Sequence, residues 1–249
     1  MRIFAIGDIH GSSTALRHLL AGVKLTPADR VVTLGDYINK GPDSKGVLDQ
    51  LVTLSHTGQL IALRGNHELR MLTARTHQMT QTKDEVLLDA RMLASYAKGA
   101  SEAPVTGDRP APNLQEGDDW LTLIPTEHWA FVADYCRDWW ESDAHIFAHA
   151  NLDPQKPLHQ QSPRRLFWEK FDYPAPHQSG KTLVCGHTRQ KSGNPLNIGH
   201  AICIDTWAWG AGWLTGLEVN SGEMWQVNRQ GKIRRSHIDL FYRDSSTKA

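Results

Sequence analysis

The stretch Arg2-Ile3-Phe4-Ala5-Ile6-Gly7-Asp8-Ile9-His10-Gly11 is a short apolar run that ends in a glycine, an acid and a histidine. The residues that follow, STALRHLLAGV over 13–23, set Leu16, Leu19, Leu20 and Val23 at helical spacing. The same phrase recurs twice. Residues 30–34 (RVVTL) lead into Gly35-Asp36 and a helical stretch over 44–54. Residues 60–64 (LIALR) lead into Gly65-Asn66-His67-Glu68, where another helix starts. Strand, loop and helix in threefold succession imply mainly parallel strands joined by right-handed crossovers.

Beyond this the pattern changes. Residues 67–98 read as largely helical, and 99–119 (GASEAPVTGDRPAPNLQEGDD) as a loop rich in Gly, Pro and acid. A helix over 126–139 is opened by Thr126, with Glu127 in its first turn. Later runs are strand-like: 144–149, 181–185, 201–205, 213–219 and 224–228, the last two joined by a hairpin signal, Asn220-Ser221-Gly222-Glu223. This places an antiparallel element beside the parallel one. With no internal repeat and a frayed tail at 243–249, the expectation is a single domain across 1–249 with a helical and loop insertion at about 70–125.

Composition narrows the class. The 249 residues carry 27 Lys plus Arg against 27 Asp plus Glu, so net charge is zero and nucleic-acid binding is not expected. There is no basic block and no apolar run long enough for a bilayer, so no membrane partner is expected either. The N-terminus reaches acidic and glycine residues too soon for a signal peptide. Three cysteines (Cys136, Cys185, Cys203) without close spacing fit a reducing compartment, so the expected location is cytoplasmic. Cys185 and Cys203 lie in apolar runs and read as inert buried thiols.

Thirteen histidines are the unusual feature, and several fall at strand ends. Five apolar runs deliver metal-ligand types at or just after their last residue: Asp8 and His10, Asp36, Asn66 and His67, His149, and His187. Strand carboxyl ends are where ligands bind in open α/β sheets. A lone Asp or His there reads as a cap, but recurrence over five elements does not. Carboxylate, imidazole and amide without thiolate suit hard-to-borderline divalent ions. Asp8, His10, Asp36, Asn66, His149 and His187 exceed what one tetrahedral ion takes and suit two ions sharing a carboxylate, a pair that activates a water for phosphoester hydrolysis.

Gly7-Asp8-Ile9-His10-Gly11, Gly35-Asp36-Tyr37 with Gly41-Pro42, Gly65-Asn66-His67-Glu68, His149 in FAHANLDP and His187 in CGHT together resemble the signature blocks of calcineurin-like metallophosphoesterases. The wording is most similar to the bacterial and phage serine/threonine protein phosphatases, over roughly residues 2–215. The resemblance implies a four-layer αββα sandwich of two mixed sheets flanked by helices. It implies Asp8 and His10 on a first metal, Asp36 bridging, and Asn66, His149 and His187 on the second. His67 is then the general acid for the leaving alkoxide. Manganese heads the expected ions, with iron, zinc, nickel or magnesium as alternatives.

The second block departs from the family wording Gly-Asp-x-x-Asp-Arg-Gly at Asn39 and Lys40. Asn39 is expected to accept a hydrogen bond from His67 without supplying charge, shifting the acid role to lower pH. Lys40 is a point charge where a guanidinium is usual. Lys170, after Phe167-Trp168-Glu169, is the second expected phosphate contact, with Arg164 and Arg165 as alternatives. Trp207, Trp209 and Trp213 either wall a substrate cleft or fill core. Glu68 supports the site or the helix start and is not a ligand. The function expected is metal-dependent hydrolysis of phosphoserine or phosphothreonine proteins or small phosphate esters. The alternatives are a symmetrical dinucleoside polyphosphate hydrolase and a non-catalytic metal- and phosphate-binding relative. Oligomeric state stays open.

Overall fold

A computed structural model describes residues 1–82, 84–97 and 120–244. The loop expected over 99–119 and most of the frayed tail lie outside the described residues. Strands β1 (Ile3–Ile6), β2 (Arg30–Thr33) and β3 (Leu60–Ala62) run parallel, as the three opening phrases require. Helices α1 (Ser13–Val23) and α2 (Ser44–Ser55) are the crossovers, and α3 (Asn66–His77) follows β3. On its other edge β1 pairs antiparallel with β9 (Leu214–Glu218), which continues through β10 (Glu223–Val227) to β11 (Ile233–His237). The first sheet therefore has the order β11-β10-β9-β1-β2-β3.

The second sheet, β4-β5-β6-β8-β7, is built from β4 (Trp139–Glu141), β5 (His145–Ala148), β6 (Thr182–Cys185), β7 (Leu196–Asn197) and β8 (Ala201–Cys203). Strands β5, β6 and β8 are parallel, and the two outer pairings are antiparallel. Strand alternation sorts the core into three sheets of side chains. Phe4, Ile6 and Val31 meet Leu16, Leu19, Leu48 and Leu51 of the helices. Ala5, Val32 and Leu34 meet Phe147, Val184 and Ile202 between the two sheets. Ile146, Ala148 and Leu183 meet Leu166 and Phe167 of the short helix Pro163–Trp168 on the far side. Burial on both faces explains why the strands are continuous apolar runs. The expected sandwich of two mixed sheets flanked by helices is present, with its last layer thin and largely irregular.

Two expectations need correction. The helix over 67–98 stops at His77, where Gln78 turns left-handed (φ 52°), and resumes only as a seven-residue helix, Ala90–Tyr96. The helix over 126–139 survives over Thr126–Ala130 and a π turn, Phe131–Tyr135. It ends because Arg137 donates to the Ala62 carbonyl at 2.9 Å and accepts from Arg64 N–H at 2.7 Å, so pairing beside β3 wins over helix. Trp139 and Trp140 then enter β4, half-buried. Strand β11 (IRRSH) carries too much charge to signal a strand, which is how an edge strand avoids further pairing. No helix among the described residues is long and apolar enough to cross a membrane.

Candidate metal centre

The carboxyl ends of β1, β2 and β3 meet those of β5, β6 and β8 at one end of the sandwich, and every ligand type anticipated at a strand end lies there. Asp36 is the centre. Its Oδ2 is 3.2 Å from His10 Nε2 and 3.9 Å from His67 Nε2, while its Oδ1 is 3.4 Å from His149 Nε2. Two trios have donor atoms within 4.8 Å of one another: His10, Asp36 and His67, and Asp36, His149 and His187. The loops are forced into this form. Six of the nine non-glycine residues with positive φ among the described residues are His10, Asp36, Asn39, Lys40, His187 and Trp207, each costing about 1–3 kcal/mol. Gly65 and Gly186 are close-approach glycines: a Cβ would stand 2.2 Å from Asp36 Oδ1 at one and 2.0 Å from Asp8 Oδ1 at the other.

Backbone carbonyls aim the imidazoles. His10 Nδ1 donates to Ile38 O at 2.9 Å and His149 Nδ1 to Leu34 O at 2.8 Å, which leaves both Nε2 lone pairs turned inward. His187 is reversed, with Nε2 donating to Trp168 O at 3.2 Å and Nδ1 inward. The Asn66 oxygen, 3.0 Å from His149 Nε2 and 3.2 Å from His187 Nδ1, then faces only lone pairs. With the amide turned over, its nitrogen would instead donate to both imidazoles and to both Asp36 oxygens. The inward oxygen is the orientation a cation requires. Beneath the centre, buried Glu68 accepts from the backbone N–H groups of Asp36 (2.7 Å), Gly65 (2.8 Å) and Tyr37 (2.8 Å).

The charges say the same. Burial together with Asp205 and Asp36 pushes the Asp8 carboxyl well up, and burial raises Asp205 as well. Burial acts upward on Asp36 too, yet His149, His67 and His10 hold it well below the carboxylate range. Burial lowers His67 to about 2 and His187 to about 4. Crowded carboxylates beside imidazoles whose charging burial opposes form a site short of positive charge, and the donor set fits divalent ions. Part of that charge comes from the chain itself, since Lys40 Nζ is 3.2 Å from His10 Nε2.

Asp8 stands slightly apart from the two trios, its oxygens accepting from His187 N–H at 3.0 and 3.1 Å. Asn39 reaches His67, but in the reverse sense to the one expected. Its Oδ1 is taken by Asp89 N–H (3.0 Å) and its Nδ2 donates to Leu87 O (3.0 Å), so it donates to His67 Nδ1 (2.9 Å). Lys170 is exposed and tied to the fold through its carbonyl, which accepts from Asn151. Arg165 pairs with Glu169. Trp209 borders the site, its ring 6.4 Å from that of His10 and 5.5 Å below Lys40 Nζ. Trp213 lies under Arg234. Three residues were missed from sequence: Arg70, Arg189 and Asp205. Asp205 follows β8 as Asp8 follows β1, so the strand-end rule could have found it; Arg70, one helical turn beyond His67, could have been found from α3.

The calcineurin-like phosphoesterase family model matches residues 1–194. A symmetrical bis(5'-nucleosyl)-tetraphosphatase of Acidovorax sp. (strain JS42) is 40% identical over 75 residues, 30% of this chain and 26% of that protein. Serine/threonine-protein phosphatase 1 of Salmonella typhimurium is 28% identical over 160 residues, 60% of this chain and 58% of that protein. The chain thus spans about a quarter of the first relative and over half of the second. A crystal structure provisionally assigned as a diadenosine tetraphosphatase superimposes with a TM-score of 0.61 at 21% identity, covering 95% of this chain and 93% of the other, a likeness of fold.

Proposed function

Because the chain belongs to the calcineurin-like phosphoesterase family, we propose that it is a metal-dependent phosphomonoesterase acting on phosphoserine or phosphothreonine proteins or on small phosphate esters. The observation that carries this reading is Asp36 standing between two imidazole pairs, with one oxygen toward each. Asp8, His10 and Asp36 would hold one divalent ion, and Asp36, Asn66, His149 and His187 would hold the other, with manganese the first choice. Such ions supply Lewis-acid charge for the phosphoryl oxygens and acidify the attacking water. His67 gives the leaving alkoxide its proton; burial keeps it neutral in the free chain, and the negative charge of a bound phosphate raises it toward its working range. Lys40 attracts the phosphate as a point charge over Trp209.

A second reading, hydrolysis of dinucleoside polyphosphates, is favoured by two aromatic shelves. Trp209 lies between Lys40 and Arg189, and Trp168, whose carbonyl accepts from His187, lies under Arg70. Trp168 is 39% exposed and Trp209 half-buried, and an aromatic ring beside cations is a platform on which a base stacks.

The test is hydrolysis of p-nitrophenyl phosphate by Mn²⁺-loaded protein against a chelator-treated control, with diadenosine tetraphosphate assayed in parallel. Metal-dependent release of p-nitrophenol supports the first reading. ADP release at far higher kcat/KM than the aryl ester favours the second. Absence of turnover with metal bound to the protein overturns both.

A further inference from the structure

Helix α3 brings a guanidinium into the site one turn after His67. Arg70 is clasped along one edge by Glu85, whose Oε1 accepts from Nε at 2.6 Å and also pairs with Nη2. The guanidinium plane is supported by Trp168, with Cζ 5.2 Å from the ring centroid. The remaining end turns inward, with Nη1 3.1 Å from His67 Nε2.

That last contact lacks an acceptor. Leu87 O and Asp89 N–H fix the Asn39 amide, so Asn39 donates to His67 Nδ1 and the neutral imidazole carries its proton on Nε2. Two N–H groups, one from His67 and one from Arg70, therefore converge across 3.1 Å. An oxyanion seated before them satisfies both. Of the cations weighed for the second phosphate contact, Lys170 and Arg164 are exposed and Arg165 is paired with Glu169.

We propose that Arg70 is the guanidinium that grips the substrate's phosphoryl oxygens, doing from α3 what an arginine in the position of Lys40 would do from the β2 loop. The assignment rests on the phosphoester-hydrolysis reading for its substrate. Glu85 and Trp168 orient the fork before substrate arrives, so little side-chain freedom is left to lose on binding.

The test is calorimetric titration of inorganic phosphate into Mn²⁺-loaded wild type, Arg70→Ala and Arg70→Lys, with p-nitrophenyl phosphate turnover measured with and without millimolar guanidinium chloride. Loss of a charge-assisted bond predicts phosphate affinity about 10–100-fold weaker for Arg70→Ala, with partial recovery in Arg70→Lys. Added guanidinium restores part of the lost turnover, a rescue that a purely structural arginine would not show. Phosphate affinity within about twofold of wild type in folded Arg70→Ala overturns the proposal, and if that variant does not fold, Arg70→Gln is judged on the same criterion. A wild type that binds phosphate through Arg70 yet hydrolyses no ester supports this assignment while overturning the enzymatic reading.

Discussion

The Asn39 amide donates to His67 Nδ1 at 2.9 Å, and the backbone of Leu87 and Asp89 leaves it no other way to face. A carboxylate at this position would accept from Nδ1–H and stabilise an imidazolium; the amide does the opposite, favouring the neutral ring that burial already favours. Asn39→Asp is therefore expected to raise the pKa of His67 and, with it, the alkaline limit of turnover. The check is a pH–rate profile on p-nitrophenyl phosphate, in which the descending limb moves to higher pH and kcat rises. One carboxylate oxygen would lie against Leu87 O, now 3.0 Å from the amide nitrogen, so the melting temperature should fall. An unmoved profile would mean that His67 is not the titrating acid.

Glu68 touches no donor atom of the trios, yet it ties the Asp36 loop to the start of α3 through three backbone N–H groups. Glutamine cannot accept at both ends of its side chain, so Glu68→Gln leaves at least one of these donors facing an amide NH₂. Loosening the loop that aims Asp36 is expected to weaken Mn²⁺ binding by about 10–100-fold, measured by competition with a chromogenic chelator. Chelator treatment of the wild type should abolish turnover and lower the melting temperature, with Mn²⁺ restoring both. Unchanged affinity in the variant would remove the supporting role assigned to Glu68.

The strand-loop-helix phrases were legible because their strands are buried on both faces, and so were Asp8, Asp36, Asn66, His149 and His187, because each follows a strand that the apolar pattern makes plain. What escaped was set by tertiary contacts. The helix through residue 139 yields to the pairing of Arg137 with β3, which depends on a segment more than 70 residues away. The sense of the Asn39 amide is decided by Leu87 and Asp89, on a returning loop that sequence read as helix. Lys170 is expected from its place after Phe167-Trp168-Glu169, whereas Arg70 stands on the i, i+3 spacing of α3 from His67, which strand ends do not reveal.

Asp29 is a polar tie at the opposite end of the first sheet. It is buried and accepts from Arg2 N (3.1 Å), Nε (3.2 Å) and Nη2 (2.6 Å), and from Thr26 N (2.7 Å) and Oγ1 (2.9 Å). Arg2 first, then Thr26, hold its carboxyl far below the ordinary value against the upward pull of burial. A depressed carboxyl stabilises the fold fully above its unfolded value of about 3.9 and loses that contribution as pH falls toward the folded value. Asp29→Asn is thus expected to melt lower than wild type at pH 7, with the gap narrowing below pH ~4. Thermal melts of both proteins across that range test this, and a gap independent of pH would contradict it.

Trp209 offers the cleanest separation of the two substrate readings. Its ring sits 5.5 Å from Lys40 Nζ and 5.4 Å from Arg189 Cζ, at the His10 side of the centre. A phosphomonoester as small as p-nitrophenyl phosphate gains little from a second base shelf, whereas a dinucleotide gains about 1–3 kcal/mol for each stacked base. Trp209→Ala should therefore lower kcat/KM on diadenosine tetraphosphate about tenfold more than on p-nitrophenyl phosphate if bases stack there. The measured quantity is the ratio of the two specificity constants, which cancels any common loss from a disturbed Lys40. A ratio unchanged from wild type would leave Trp209 as a wall that excludes water from His10 and Lys40, and would favour the phosphomonoester reading.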